Sequence, residues 1–64
     1  PNTHIDLGVT LARLGEVEQA AAHFREAIRV RPDDRQAHAN LAIVLANQGR
    51  FQEAQYHRAR ATSP

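Results

Sequence analysis

The chain has no cysteine, no methionine and no tryptophan among its 64 residues. Without cysteine, neither a disulfide nor a thiolate zinc site can staple the fold. No run approaches the ~20 apolar residues of a membrane span, and no signal-peptide pattern is visible. Charge of one sign is also lacking: eight arginines face seven acidic residues, for a formal net charge of +1. The balance is uneven along the chain, because four arginines meet six acids in residues 1–34 and four meet only Glu53 in residues 35–64. Nucleic-acid modules concentrate positive charge more strongly than this, so a solvated helical surface is the better reading of the basic half. A chain of this size buries only about 60% of its extended surface and sits near the limit of independent stability. The initial proline and the absence of methionine lead us to expect a fragment or processed product of a longer protein.

What the chain does have is a repeat. His4, Leu7, Leu11, Ala12, Gly15, Ala20, His23 and Ala27 recur 34 residues later as His38, Leu41, Leu45, Ala46, Gly49, Ala54, His57 and Ala61. Similar residues fill other positions, such as Val9 with Ile43 and Val17 with Phe51. A fixed period of this length marks units that bury their apolar faces against one another in a stack.

Each unit reads as two helices. Leu7, Leu11 and Leu14 form one apolar stripe at helical spacing, and Val17, Ala20, Phe24, Ala27 and Ile28 form a second. Gly15 lies between them, where a helix can end in the left-handed conformation. Glu16 and Glu18 start the second helix and Arg29 and Arg31 end it, each sign matching the helix dipole. Pro32-Asp33-Asp34 then breaks the chain, with Asp33 or Asp34 available to cap the third helix; Thr3 or Asn2 has the same role at the first. The third helix carries Ala37, Leu41, Val44 and Leu45 and ends at Gly49, and the fourth runs from near Phe51 through Ala54 and Ala61. Short connections make the members of each pair antiparallel neighbours. Gly8 with Ala20, and Ala42 with Ala54, allow the paired helices to approach closely. The expected fold is all-α, with two helical hairpins: a first repeat over 1–34 and an incomplete second over 35–64.

This pattern resembles the tetratricopeptide repeat. Leu7, Gly8, Leu11, Ala20, Phe24, Ala27 and Pro32 fall at the family's signature positions in the first unit, with His4 where tryptophan is usual. The second unit supplies Leu41, Ala42, Leu45, Gly49, Ala54 and Ala61, and departs at Arg58, where a large apolar residue is usual. The resemblance implies a right-handed solenoid whose first helices line a concave face, and a protein-interaction module without catalysis or cofactor. By that resemblance, Asn2, Ile5, Asp6, Val9 and Arg13 face the concavity from the first helix, and Gln36, Ala39, Asn40, Ile43 and Asn47 from the third. They offer apolar contact and amides able to bond a peptide backbone. Some family members clamp a carboxylate with lysine and asparagine; here Ile5 and Val9 stand at such positions and only Asn40 fits, so that use is not expected.

Other chemistry finds little support. The four histidines come as repeat-related residues, His4 with His38 and His23 with His57, which the stack would place about 10 Å apart, too far for shared zinc ligation at ~2.1 Å per ligand. No phosphate-binding loop or nucleophile constellation is present. Arg25, Arg29, Arg58 and Arg60 belong to the second helices, where solvation and local pairing, for example Arg25 with Glu18, account for them. A two-unit stack leaves an end uncovered, and Val44, Tyr56 and Ala61 are expected to form it. The expected partner is therefore a protein or peptide, or a second copy at that end, with no nucleic acid. The alternative role is a structural or self-associating segment of a larger protein, such as a substrate-binding arm of an enzyme.

Overall fold

The computed structural model describes residues 3–62, with side chains from His4 onward. Four helices follow one another: α1 (Thr3–Arg13), α2 (Val17–Val30), α3 (Arg35–Asn47) and α4 (Phe51–Thr62). No strand is present among the described residues. The chain is all-α, built of two antiparallel helical hairpins, α1–α2 and α3–α4. Helix α3 packs against α4 and α2 and touches α1, whereas α4 meets neither α1 nor α2. The second hairpin is thus joined to the first through α3 alone.

The two hairpin turns are the same device used twice. At the end of α1 the Gly15 amide donates to the Ala12 carbonyl (3.1 Å) and the Glu16 amide to that of Leu11 (2.8 Å). At the end of α3, Gly49 donates to Ala46 (3.0 Å) and Arg50 to Leu45 (2.9 Å). This double closure is the Schellman motif, which needs a left-handed residue at its centre. Gly15 and Gly49 supply it, at φ 85° and 79°. Between the hairpins, Asp34 is the residue that caps α3, accepting from the Ala37 amide at 3.2 Å. The proposed caps of α1, Asn2 and the Thr3 side chain, lie outside the described residues.

Phe24 holds the first hairpin together. It is almost wholly buried, and its ring lies so close over Gly8 that a Cβ there would stand 2.5 Å from Cε1. The 34-residue period carries Gly8 to Ala42 and Phe24 to Arg58. Where the ring is absent, the methyl is admitted, so the two substitutions complement each other. Ala20, Ala21, Ala27, Ala37, Leu41, Ala42, Val44, Leu45 and Ala54 complete the core with Ile5.

The buried line of α1 differs from its expected stripe. Ile5 and Gly8 are covered, with Val9, Leu11 and Ala12 packed beside them, while Leu7 and Leu14 are exposed. The reason is that α1 has neighbours on only two sides, α2 and α3. The local pairing of arginines also differs from expectation. Arg29 is bonded to Glu26 and Arg50 pairs with Glu53 at 3.9 Å, but Arg25 does not pair with Glu18 among the described residues. Both observed pairs are exposed and one turn apart, a class that contributes little to stability.

Introducing a methyl at Gly8 must displace the Phe24 ring. We expect Gly8→Ala to destabilise the fold by about 1–3 kcal/mol, the range for overpacking, as read from urea unfolding. The double change Gly8→Ala with Phe24→Leu should recover part of that loss relative to the sum of the single changes.

Candidate functional site

The two first helices of the hairpins, α1 and α3, run side by side in the same direction and leave a groove between them. A concavity of about 240 Å³ is lined by Val9, Ala12 and Arg13 of α1, Phe24 of α2, and Asn40, Ile43 and Val44 of α3. Its walls follow from helical spacing, since positions 9, 12 and 13 share one flank of α1, and 40, 43 and 44 one flank of α3. Phe24 reaches the floor because Gly8 has no side chain to cover it. Most of the lining is apolar, with Arg13 and Asn40 as its polar groups. Arg13 makes no ion pair among the described residues, so its guanidinium is available to an incoming acceptor.

Four of the residues expected on the concave face meet here: Val9, Arg13, Asn40 and Ile43. Asp6, Gln36 and Asn47 are exposed and Ala39 is half-buried, and none of the four lines the concavity. Asn2 lies outside the described residues. Ile5 is a correction: at 2% exposure it belongs to the core, because the start of α1 turns this side chain inward. Ala12, Phe24 and Val44 are lining residues that were not anticipated. Their signal was present in the spacing. A groove between parallel helices is lined largely by opposite flanks of its two walls, so among the lining residues only Val9 and Ile43 are equivalent positions of the two repeats.

Of the three residues expected at an uncovered end, Val44 is a correction. Val44 is 2% exposed and forms part of the core and groove floor, with its outer side closed by the neighbouring helices. Tyr56 is exposed and Ala61 half-buried. Helix α4 exposes Phe51 as well as Tyr56, and α1 has an apolar exposure of its own: Leu7 is 43% exposed, whereas its repeat equivalent Leu41 is 0% exposed. Helix α2 lies against α3, and no described helix takes the corresponding place beside α1.

The histidines meet within each hairpin and not between them. His4 Nδ1 lies 3.2 Å from His23 Nδ1, and His38 Nδ1 lies 2.9 Å from His57 Nδ1. No group of three or more histidine, cysteine or acidic side chains gathers as a metal cage among the described residues. No helix among them is long and apolar enough to cross a membrane.

The tetratricopeptide repeat family profile matches residues 5–64. The chain belongs to the tetratricopeptide repeat family. No curated protein and no solved structure matches it. Membership accounts for the paired helices, the small residues at their crossings and the glycine turns, and it places the chain among protein-interaction and scaffold modules. The groove between α1 and α3 is the surface of this tetratricopeptide stack where apolar walls and free polar groups coincide.

The difference between the core isoleucine and the groove isoleucine can be measured directly. Ile5→Ala should cost about 2–5 kcal/mol, as for a core truncation, whereas Ile43→Ala should stay within about 0.5 kcal/mol of the parent in the same denaturant titration.

Proposed function

We propose that the chain is a non-catalytic interaction module that takes an extended peptide segment or a helix of a partner protein in the α1–α3 groove. The observation that supports this reading is the concentration of solvent-facing apolar surface there. Ile43 remains 60% exposed on an otherwise well-packed helix, beside half-buried Val9 and Asn40. An apolar side chain of the partner would rest over Val9, Ile43 and the Val44–Phe24 floor. Arg13 would meet a carboxylate or backbone carbonyl, and the Asn40 amide can both donate to and accept from a peptide unit. A groove of about 240 Å³ accommodates one or two side chains and not a folded domain. Affinity therefore depends on a few anchors, as is usual at interfaces.

Selection from a displayed random-peptide library tests the reading. Enriched peptides should share an apolar anchor, and Ile43→Glu should weaken them about tenfold or more while leaving helicity unchanged. Peptides that bind the Ile43 variant undiminished, or a selection that enriches none, would overturn it.

A second reading has an observation of its own in the exposed Leu7 and Leu14, the latter 72% exposed. In this reading the chain serves as a stacking segment, and the α1 side is covered by another copy or by further helices. Sedimentation equilibrium at micromolar concentrations should then show association that Leu7→Glu with Leu14→Glu abolishes. A monomer that keeps its helical content on dilution would leave the groove as the interaction surface.

A further inference from the structure

The histidine pairs have no place in the groove, and one lies within each hairpin. In the second hairpin, His38 is 3% exposed, and its Nε2 lies 2.8 Å from the Pro32 carbonyl oxygen. A carbonyl only accepts, so His38 must carry its proton on Nε2. In neutral His38 the other nitrogen, Nδ1, is then an acceptor. Its partner at 2.9 Å is His57 Nδ1, which must therefore be the donor. The network thus assigns both tautomers. Pro32, at the junction of the hairpins, orients α3's histidine, which in turn accepts a hydrogen bond from His57 of α4.

The ring geometry separates this arrangement from metal chelation. The His38 and His57 ring centroids lie 5.1 Å apart, exceeding the nitrogen separation by about the width of one ring. Each Nδ1 consequently points at the other along the line joining the rings. A metal needs about 2.1 Å to each nitrogen, more than half of the distance between them, and would have to sit off that line, where neither lone pair is aimed. A hydrogen lies on the line. The same relation holds for His4 and His23, at 5.4 Å between centroids and 3.2 Å between nitrogens. Among the described residues no carbonyl like Pro32's chooses the donor of that pair, and His4 is exposed.

We infer that an N–H···N bond from His57 to His38 helps to close the second hairpin, and that acid breaks it by placing a proton on the nitrogen that must accept. A first added proton can enter at His57 Nε2, which leaves the bond intact as imidazolium to imidazole. A second has only His38 Nδ1 left, and two N–H groups then face each other across 2.9 Å. The surroundings resist even the first. Burial, then the charges of His38, Arg25 and Arg60, hold His57 below the usual histidine range, with Glu53 opposing. These groups come from α2, α3 and α4, and the Tyr56 ring stands edge-on to His57 at 5.0 Å. The sign follows. A base with a depressed folded pKa binds fewer protons folded than unfolded, so stability is present above about pH 6.5 and is lost as the pH falls through the folded value.

Long-range ¹H–¹⁵N correlation spectra of the 64-residue chain at pH 7.5 should show His38 as the Nε2–H tautomer and His57 as the Nδ1–H tautomer. An Nε2–H tautomer at His57 would set two lone pairs face to face and overturn the inference without any mutation. Melting followed by circular dichroism at pH 7.5 and 5.0 tests the switch. His57→Asn keeps an N–H donor near the position of Nδ1, cannot titrate, and can turn its amide to present Oδ1 as an acceptor when His38 gains a proton. The parent should lose roughly 5 °C or more in Tm beyond the loss of this variant over that interval. Equal losses in the two chains would overturn the switch, and the exposed His4–His23 pair, common to both, cancels in the comparison. If the variant does not fold, the pH dependence of the parent's imidazole shifts decides: titration of His57 at or above pH 6.5 overturns the proposal.

Discussion

The seat of Phe24 on Gly8 is the contact on which the rest of the molecule depends. It sets how close α1 and α2 lie, and it also supplies the floor of the groove against which α3 packs. One aromatic side chain thus serves the inside of the first hairpin and the joint to the second. The ring costs little entropy to order and buries a large area, which suits a chain too small to afford many such contacts. Its effect extends to residues that do not touch it, because α1 and α3 meet only lightly and owe their relative placement to α2.

The second hairpin is held on different terms. Arg58 replaces the aromatic ring, Ala42 the glycine, and α4 buries only Ala54, whereas α3 buries Ala37, His38, Leu41, Ala42, Val44 and Leu45. Phe51 and Tyr56, the two aromatic residues of α4, point outward. What joins α3 to α4 is therefore a seam of small side chains together with the His38–His57 bond. Alanine contacts bring backbones close but release little apolar area per residue, so a directional bond matters more there than it would in the first hairpin. Local stability tracks the density of buried side chains, and α4 contributes only Ala54 to the core.

The fold was legible because its determinants are local. The 34-residue period, the glycines at 15 and 49 and the Pro32–Asp34 break each act within one turn or one connection, and the helices begin and end beside them. Burial was less legible, because it depends on which sides of a helix have neighbours. Leu7 and Leu41 are the same residue at the same repeat position, yet only the one with a helix on each side is covered. Ile5 and Val44 were misplaced for the same reason. The histidines show a further limit. Repetition invites pairing between equal positions of different units, but the glycine turns fold each hairpin back on itself and bring together His4 with His23 and His38 with His57.

These two pairing rules divide the molecule's work between its surfaces. Contacts between repeats create the groove, since its walls belong to α1 and α3 and its floor to α2. Contacts within a repeat create the histidine bonds, since each joins a first helix to its own second helix. The two systems share α3: one flank carries Asn40, Ile43 and Val44, and the same helix presents His38 to Pro32 and His57. A change that frees His38 would loosen α4 from α3 and remove part of the packing that holds the α3 wall of the groove. The reverse influence is weaker, because a ligand over Ile43 and Val9 bridges α1 and α3 without touching α4. Binding would therefore favour the folded second hairpin only through the placement of α3. By linkage, the pH that opens that hairpin should weaken the groove's hold on its ligand by the same factor by which the ligand stabilises the closed state.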